Sequence, residues 1–442
     1  MRLIYENMLQ TAKLHVNRLV LGDSTISWTK KLIILSFLLK MRQIIKEVYM
    51  SSHRLYLKKN KEFSLMKGHP WAYGEAFREV PERLATGDLV EVRSHRDQLM
   101  GFGYADVDSK ILVRMLPLAN GETLSAGIGR LVRAAVAMRL ERFSGGETTA
   151  YRLVNGEGDS IPGLIIDRYD RAVSLQIYSL GLEPALPAVV KAIRELLPEV
   201  KWVWRRNQIR LARADAAGLI YGSNLPDKIE FREYGLKFST DLVNGQKTGF
   251  FLDQRENRNL VRSVASGRSF LNVCGYTGAF TVAAAAGGAT HSVTVDIARP
   301  ALIEAERNLR LNSLALPSHK LVAADMYEYL TQCRQGSFDL VVLDPPSMAK
   351  NRRDAEKALR AYRRLNQLGA KVVSSGGYLF TASCTSQVSR EEFLESVRDG
   401  VAAAGRRAMI VHESFHAADH PIALAHPEGR YLKGLLLKIC QE

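Results

Sequence analysis

Cysteine is scarce in this chain. The 442 residues include only Cys274, Cys333, Cys384 and Cys440, too far apart for a CxxC pair or a Cys/His cluster. Neither a disulfide framework nor a metal site is therefore expected, and a reducing cytoplasm fits best. Long apolar runs are missing too. The nearest, Leu32 to Leu39, spans eight residues between Lys31 and Lys40, less than half of what a bilayer requires, so no membrane partner is expected. Acids are in deficit: 46 Asp and Glu face 61 Lys and Arg, a formal charge of +15. That balance favours a polyanionic partner, RNA or DNA. A GxGxxG phosphate cradle is also lacking, which argues against a nicotinamide dehydrogenase.

What is present is enough apolar material, 46% of a 442-residue chain, for two or three folded domains. Residues 1–52 are basic and poor in acids, and are set apart as an extension: a transit-like leader, a short helix, or an upstream translation artefact ahead of a natural start at Met50. They are expected to be disordered or not native. From residue 53 to 126, short β-like pieces (RLYLKK, DLVEVRSH, LMGFGYA, ILVRML) separated by turn residues read as a small β-rich module. Residues 127–235 open with a helix over Ile128–Phe143 closed by Gly145-Gly146. They continue with strands LIIDRY, AVSLQIYS, KWVWRR and AGLIYG around a helix LPAVVKAIRELL, an α+β domain.

Residues 236–442 alternate strictly after Gly267: strand SFLNVC, helix GAFTVAAAAGGA, strand HSVTVDI, helix ARPALIEAERNLRLN, strand HKLVAAD, helix MYEYLTQC, strand FDLVVLD. Two more helices flank strand GGYLFTASC, and a β pair, AMIVHESF and YLKGLLLKI, closes the chain. Apolar strands separated by helices signal an α/β fold with a parallel, doubly wound sheet.

In such sheets ligands bind at the carboxyl ends of the strands. The first strand ends in Asn272-Val273-Cys274-Gly275-Tyr276-Thr277-Gly278, where Gly275 and Gly278 would allow a sharp turn and a close approach to a ligand. The second ends in Asp296, suited to a pair of ribose hydroxyls, the third in Asp325, suited to an adenine amino group, and the fourth in Asp344-Pro345-Pro346. Any one of these acids alone reads as a solvated surface residue, but three at successive strand ends point to a nucleoside ligand without pyrophosphate, S-adenosylmethionine. The fifth strand ends in Ser383-Cys384-Thr385. A buried, inert thiol is the commoner fate of such a cysteine. A thiolate there could instead add to C6 of a cytosine and activate C5 toward a methyl donor. Methylation of a guanine or adenine amino group is the rival chemistry; Ser347 and Met348 follow the prolines where an aromatic would stack on the base. A non-catalytic RNA-binding assembly factor is the alternative from another class.

The segments KTGFFLDQRENR, NVCGYTGAF, VTVDIARPAL, FDLVVLDPPSMAK, TASCTSQVSREEF and ADHPIALAHPEGRYLKGLLLKI resemble the class I rRNA methyltransferases typified by large-subunit cytosine-5 enzymes. The resemblance runs from about residue 53 to the C-terminus. It implies an N-terminal PUA domain entered at GHPWAYGEAF, a central α+β domain and a Rossmann-like methyltransferase domain. Asn272, Gly275, Thr277, Gly278, Asp296, Asp325 and Asp344 would hold S-adenosylmethionine, with Gln254 and Arg255 at its border. Cys384 and Asp344 would act on a cytosine of 23S rRNA, naked or in a large-subunit assembly intermediate. Relatives often carry Phe and Ser where this chain has Cys274 and Gly275, and Ser347 replaces the second cysteine of the broader RNA cytosine-5 enzymes, leaving the final base unassigned. The stretch KWVWRRNQIR mixes tryptophans with Lys201, Arg205 and Arg206, a combination suited to RNA phosphates and stacking. A homodimer stays open.

Overall fold

Short strands rich in Val and Leu build the first layer of a computed structural model that describes residues 53–206, 217–245, 248–314 and 316–440. The readings for residues 1–52, and for Asn207 to Arg210 of the basic stretch, lie outside the described residues. Strands β1 (His53–Tyr56), β2 (Trp71–Tyr73), β3 (Leu89–Arg93), β4 (Leu99–Ala105) and β5 (Ile111–Leu116) form a sheet in the order β1-β3-β4-β5-β2, with a short helix α1 (Phe63–Met66) before β2. Leu55, Val90, Val92, Leu112 and Val113 fill its core.

Helix α2 (Leu124–Arg142) starts earlier than its apolar spacing suggests, because Thr123 caps it by accepting from the Ala126 N–H. A boundary at 126/127 therefore falls inside a helix. Strands β6 (Ala150–Asn155), β7 (Leu164–Tyr169), β8 (Ala172–Ile177), β9 (Trp202–Arg206) and β10 (Gly218–Tyr221) form the second sheet, and helix α3 (Leu186–Leu196) makes the crossover between the parallel pair β8 and β9. Ile128, Val132 and Val136 of α2 and Val189 and Ile193 of α3 share one core with Leu153, Ile166 and Leu175 of the sheet.

A hairpin, β11 (Ile229–Glu233) and β12 (Leu236–Thr240), follows, with Glu233 opposite Leu236. A boundary at 235/236 would cut it in its turn. Its Phe231 and Phe238 pack with Tyr169 of the second sheet and with Val282 and Leu309 further along the chain, so the hairpin bridges the two neighbouring modules.

Beyond it come helix α4 (Arg255–Ser263), β13 (Ser269–Val273), α5 (Ala279–Ala286), β14 (His291–Asp296), α6 (Arg299–Leu311), β15 (His319–Ala323), α7 (Met326–Gln332), β16 (Phe338–Leu343), α8 (Ala355–Val372), β17 (Val373–Ser383), α9 (Arg390–Ala403), β18 (Ala408–Ser414) and β19 (Lys433–Ile439). The seven strands pair in the order β15-β14-β13-β16-β17-β19-β18. The first five run parallel, and β19 is antiparallel to both its neighbours. Along β16, Leu340 and Val342 face one core with Phe280 and Phe380, while Val341 and Leu343 face the other with Leu365 and Phe393. Strands covered on both faces in this way read as continuous apolar runs. The strand order reverses between β13 and β16, the position at which open α/β sheets make a ligand crevice. Among the described residues, no helix is long and apolar enough to cross a membrane.

Candidate active site

A cavity of about 400 Å³ opens at that reversal, where the ends of β13, β14, β16 and β17 converge. Asp296, Asp325, Asp344 and Cys384, scattered through the sequence, all line it, together with Gln254, Gly275 and Thr277. Ile297, Ala324 and Met326 supply an apolar stretch between the first two acids, and Phe251 and Tyr276 stand edge to face with ring centres 5.2 Å apart.

The turn after β13 is unusually constrained. Positive φ falls on Cys274 (59°), Tyr276 (47°) and Gly278 (71°), two of them residues with side chains; such strain persists where the surroundings over-determine it. Gly275, expected to supply a turn, lacks a positive φ. Its need for glycine is steric: a Cβ there would lie 2.3 Å from Thr294 Cγ2 and 2.9 Å from Asn272 Nδ2. Gly278 does not line the cavity, and a Cβ on it would meet Ala305 of α6 at 2.7 Å, so its small size lets α5 and α6 approach. Asn272 lies beneath the turn rather than in the cavity, fully buried, donating to Thr281 Oγ1 at 3.0 Å. Thr277 does face the cavity, and its buried hydroxyl has no hydrogen-bond partner among the described residues.

The three acids are held differently. Asp296 accepts from the Tyr276 and Ala298 N–H groups, each at 2.8 Å, one on each oxygen. Asp325 caps α7 through Oδ1, accepting from the Tyr327 N–H at 2.8 Å. Asp344 accepts from Gln254 Nε2 at 2.8 Å, and the Gln254 carbonyl in turn accepts from Asn257. Each carboxylate oxygen can accept more than one hydrogen bond, so these anchors orient the groups without exhausting them. An orphan hydroxyl, oriented carboxylates, an apolar strip and a turn with no room for a Cβ fit a nucleoside ligand bearing hydroxyl and amino donors.

The two cavity thiols have different settings. Cys274 lies among the acids: burial, then Asp344, Asp296 and Asp325, push its thiol up to about 12, which keeps it protonated and unreactive. Cys384 sits at the far end, its Sγ 4.0 Å from the Pro345 carbonyl. Behind it, Lys433 of β19 donates to the carbonyls of Thr385 (2.7 Å) and Val388 (2.8 Å). Burial pulls that ammonium down to about 8 against the opposing pull of Cys384 and Glu392. Thr385 stitches this end to the proline loop, accepting from the Met348 N–H at 3.0 Å and bonding Tyr362 Oη at 2.7 Å. Two further cavity features went unread in the sequence. Asp253 lines the wall and accepts from Tyr431 Oη at 2.6 Å, and Leu432 closes the thiol side. Their signals were the FLDQRENR and Tyr-Leu-Lys segments, which the resemblance covered without giving Asp253 or Leu432 a role.

Three expected binding residues are placed elsewhere. Arg255 is fully buried away from the cavity, its guanidinium paired with both oxygens of Asp419 at 2.6 and 3.0 Å and set over the Phe143 ring. Arg205 is buried and bidentate with Glu183. Arg206 donates to the Leu242 and Gly245 carbonyls, and burial lowers its pKa. Each of these two arginines turns two donors onto the protein itself, and Arg205 is buried, which sets both apart from an exposed cation. Lys201 is exposed beside the Trp202 ring.

A sheet in this order, with strand-end acids around one crevice, is the architecture of an S-adenosylmethionine-dependent methyltransferase. Residues 187–404 match the family model for S-adenosylmethionine-dependent methyltransferases, and residues 55–117 match that for PUA-like domains. The chain is 37% identical over 398 residues to a ribosomal RNA large subunit methyltransferase of Deinococcus radiodurans, covering 87% of this chain and 97% of the relative. It is 35% identical over 395 residues to the ribosomal RNA large subunit methyltransferase I of Tolumonas auensis, covering 88% and 99%. Among solved structures, a methyltransferase complexed with SAH superposes with a TM-score of 0.75 at 24% identity, over 87% of this chain and all of that one. The chain belongs to the ribosomal RNA large subunit methyltransferase I family, and its cofactor is S-adenosylmethionine.

Proposed function

We propose that this protein methylates C5 of a cytosine in large-subunit ribosomal RNA, through a covalent bond between Cys384 and C6 of the base. The observation that carries this is the presence of Cys384 in the same cavity as Asp296, Asp325 and Asp344. The names of the relatives supply the RNA class, and the PUA-like match supports an RNA substrate.

When bound, S-adenosylmethionine supplies a methyl group on a positively charged sulfur. Asp296 would accept from its ribose hydroxyls and Asp325 from its adenine amino group, and the Thr277 hydroxyl would be at hand in the same cavity. At the other end, the buried Lys433 ammonium favours the thiolate form of Cys384, since an opposite charge nearby stabilises an ion. The target base leaves its stack to enter. The thiolate adds to C6, and C5 then carries enough electron density to take the methyl. Asp344, on the strand next to the one bearing Cys384, accepts the C5 proton. The electron pair of the C5–H bond re-forms the C5–C6 double bond, and the Cys384 thiolate is expelled.

The test is turnover and donor binding measured together on Cys384→Ala, with large-subunit rRNA as substrate. Loss of methyl transfer with calorimetric S-adenosylmethionine binding intact is expected. Retained transfer would point to an amino-group target instead.

A further inference from the structure

We propose that His69, His426 and Glu428 form a binding site for one divalent transition-metal ion, with zinc the best fit. The site lies away from the methyl-transfer cavity, between the first sheet and the segment leading into β19. His69 precedes β2, and His426 and Glu428 flank the start of the tight turn Pro427–Gly429.

Two imidazoles and a carboxylate are a donor set that zinc uses, with water completing a tetrahedron. One ligand atom from each of the three residues lies within 4.8 Å of the others. His69 Nε2 is 3.5 Å from Glu428 Oε1, and His426 Nε2 is 3.7 Å from Glu428 Oε2. Tetrahedral ligands about 2.0–2.1 Å from zinc lie roughly 3.3 Å apart, so the three groups, within 4.8 Å of one another, must draw closer to share one ion. These separations are too long for hydrogen bonds.

A second observation is independent of the spacing. His426 is only 5% exposed, yet its Nε2 has no hydrogen-bond partner among the described residues, although buried polar nitrogens are normally satisfied. The ring is fixed in place edge-on to Trp71, with centres 4.4 Å apart, and Trp71 is anchored by its Nε1–H donating to Glu157 at 2.9 Å. Glu428 is half exposed, which leaves an entry path and a side open to water. One contact opposes the ion: the Trp71 backbone N–H donates to His69 Nδ1 at 3.2 Å. Binding through Nε2 moves the ring proton to Nδ1 and breaks that bond, so the site is weaker than a cysteine-rich one.

The ion would tie the first sheet to the segment that delivers Tyr431, Leu432 and Lys433 to the cavity wall. The test uses the full-length protein stripped with a chelator and titrated with zinc alone by calorimetry, and with cobalt alone by visible absorption. A single saturable ion per chain is expected, with a tetrahedral cobalt spectrum free of thiolate charge transfer and a thermal midpoint raised by a few degrees. Glu428→Gln, at a half-exposed position that should fold normally, should weaken zinc roughly tenfold or more, and His426→Ala should do likewise. No saturable binding by the wild type, a thiolate band with cobalt, or equal affinity in Glu428→Gln would overturn the proposal.

Discussion

Carboxylates are grouped in two regions of this molecule, and their partners separate the two roles. Around the cavity, Asp296 and Asp325 are held by backbone N–H groups and Asp344 by the amide of Gln254. In the seam that joins the second sheet to the C-terminal segment, each carboxylate meets an arginine. Asp419 takes Arg255, Asp159 takes both terminal nitrogens of Arg139 at 2.6 and 2.7 Å, and Asp167 takes Arg152 at 2.8 and 3.0 Å. Neutral anchors aim a carboxylate while leaving its charge for a ligand; a guanidinium consumes that charge in holding the fold together. The difference also explains why Arg255, adjacent to a cavity residue in sequence, belongs to the seam.

The largest effect expected from this contrast is at the thiols, which repeat it in miniature. Cys384→Ala should lower methyl transfer by roughly 10³-fold or more, as loss of a nucleophile does, whereas Cys274→Ala should keep most of the activity. Equal losses at both positions, measured by methyl incorporation, would erase the distinction.

Next comes the seam. Removing one partner of a buried ion pair leaves the other charge uncompensated and typically costs about 3–5 kcal/mol. Asp419→Ala should therefore lower stability to denaturant by that order, because Arg255 has no route to solvent. The sign with pH follows from the same contacts. Burial alone would raise the Asp419 carboxyl, but His420 and Arg255 hold it well below the usual range. Its stabilising contribution is fully present above the unfolded-state pKa of about 4 and is lost as pH falls through the lower folded value. Acid unfolding of wild type and Asp419→Ala should converge at low pH; curves that stay parallel would contradict this.

At the cavity, Asp296→Asn should weaken S-adenosylmethionine binding by roughly ten- to a hundredfold, the range for hydrogen bonds to a charged group, with little change in thermal midpoint. A large fall in midpoint with unchanged affinity would assign Asp296 to the seam type. The smallest effect is at the surface. RNA affinity should fall with added salt through counterion release, and Lys201→Ala should make that fall shallower, whereas Arg205→Ala should leave the slope alone and cost stability instead.

Much of the fold was legible because the seven-stranded sheet is buried on both faces, so SFLNV, FDLVVL and GGYLF read as short, predominantly apolar runs without a polar face. The short strand β2 and helix α4 were missed. WAY is too brief to show a period, and RENRNLVRS carries four buried residues of which three are polar. At the site, Asp296, Asp325, Asp344 and Cys384 were readable because each ends a strand, a position that local pattern locates. Arg205, Arg206 and Arg255 were not, since whether a cation is spent on Glu183, a carbonyl or Asp419 depends on contacts remote in sequence. The same limit hid the pairing of His69 with His426, which no local spacing could announce.

The most direct measurement of the central claim uses large-subunit rRNA in which cytosine is replaced by 5-fluorocytosine. Fluorine at C5 cannot leave as a proton, so a base methylated while bonded to the enzyme stays attached. A denaturation-resistant RNA–protein adduct is expected, requiring S-adenosylmethionine, mapping by mass to Cys384 and missing in Cys384→Ala. Its absence from the wild type, or its attachment at Cys274, would contradict the account.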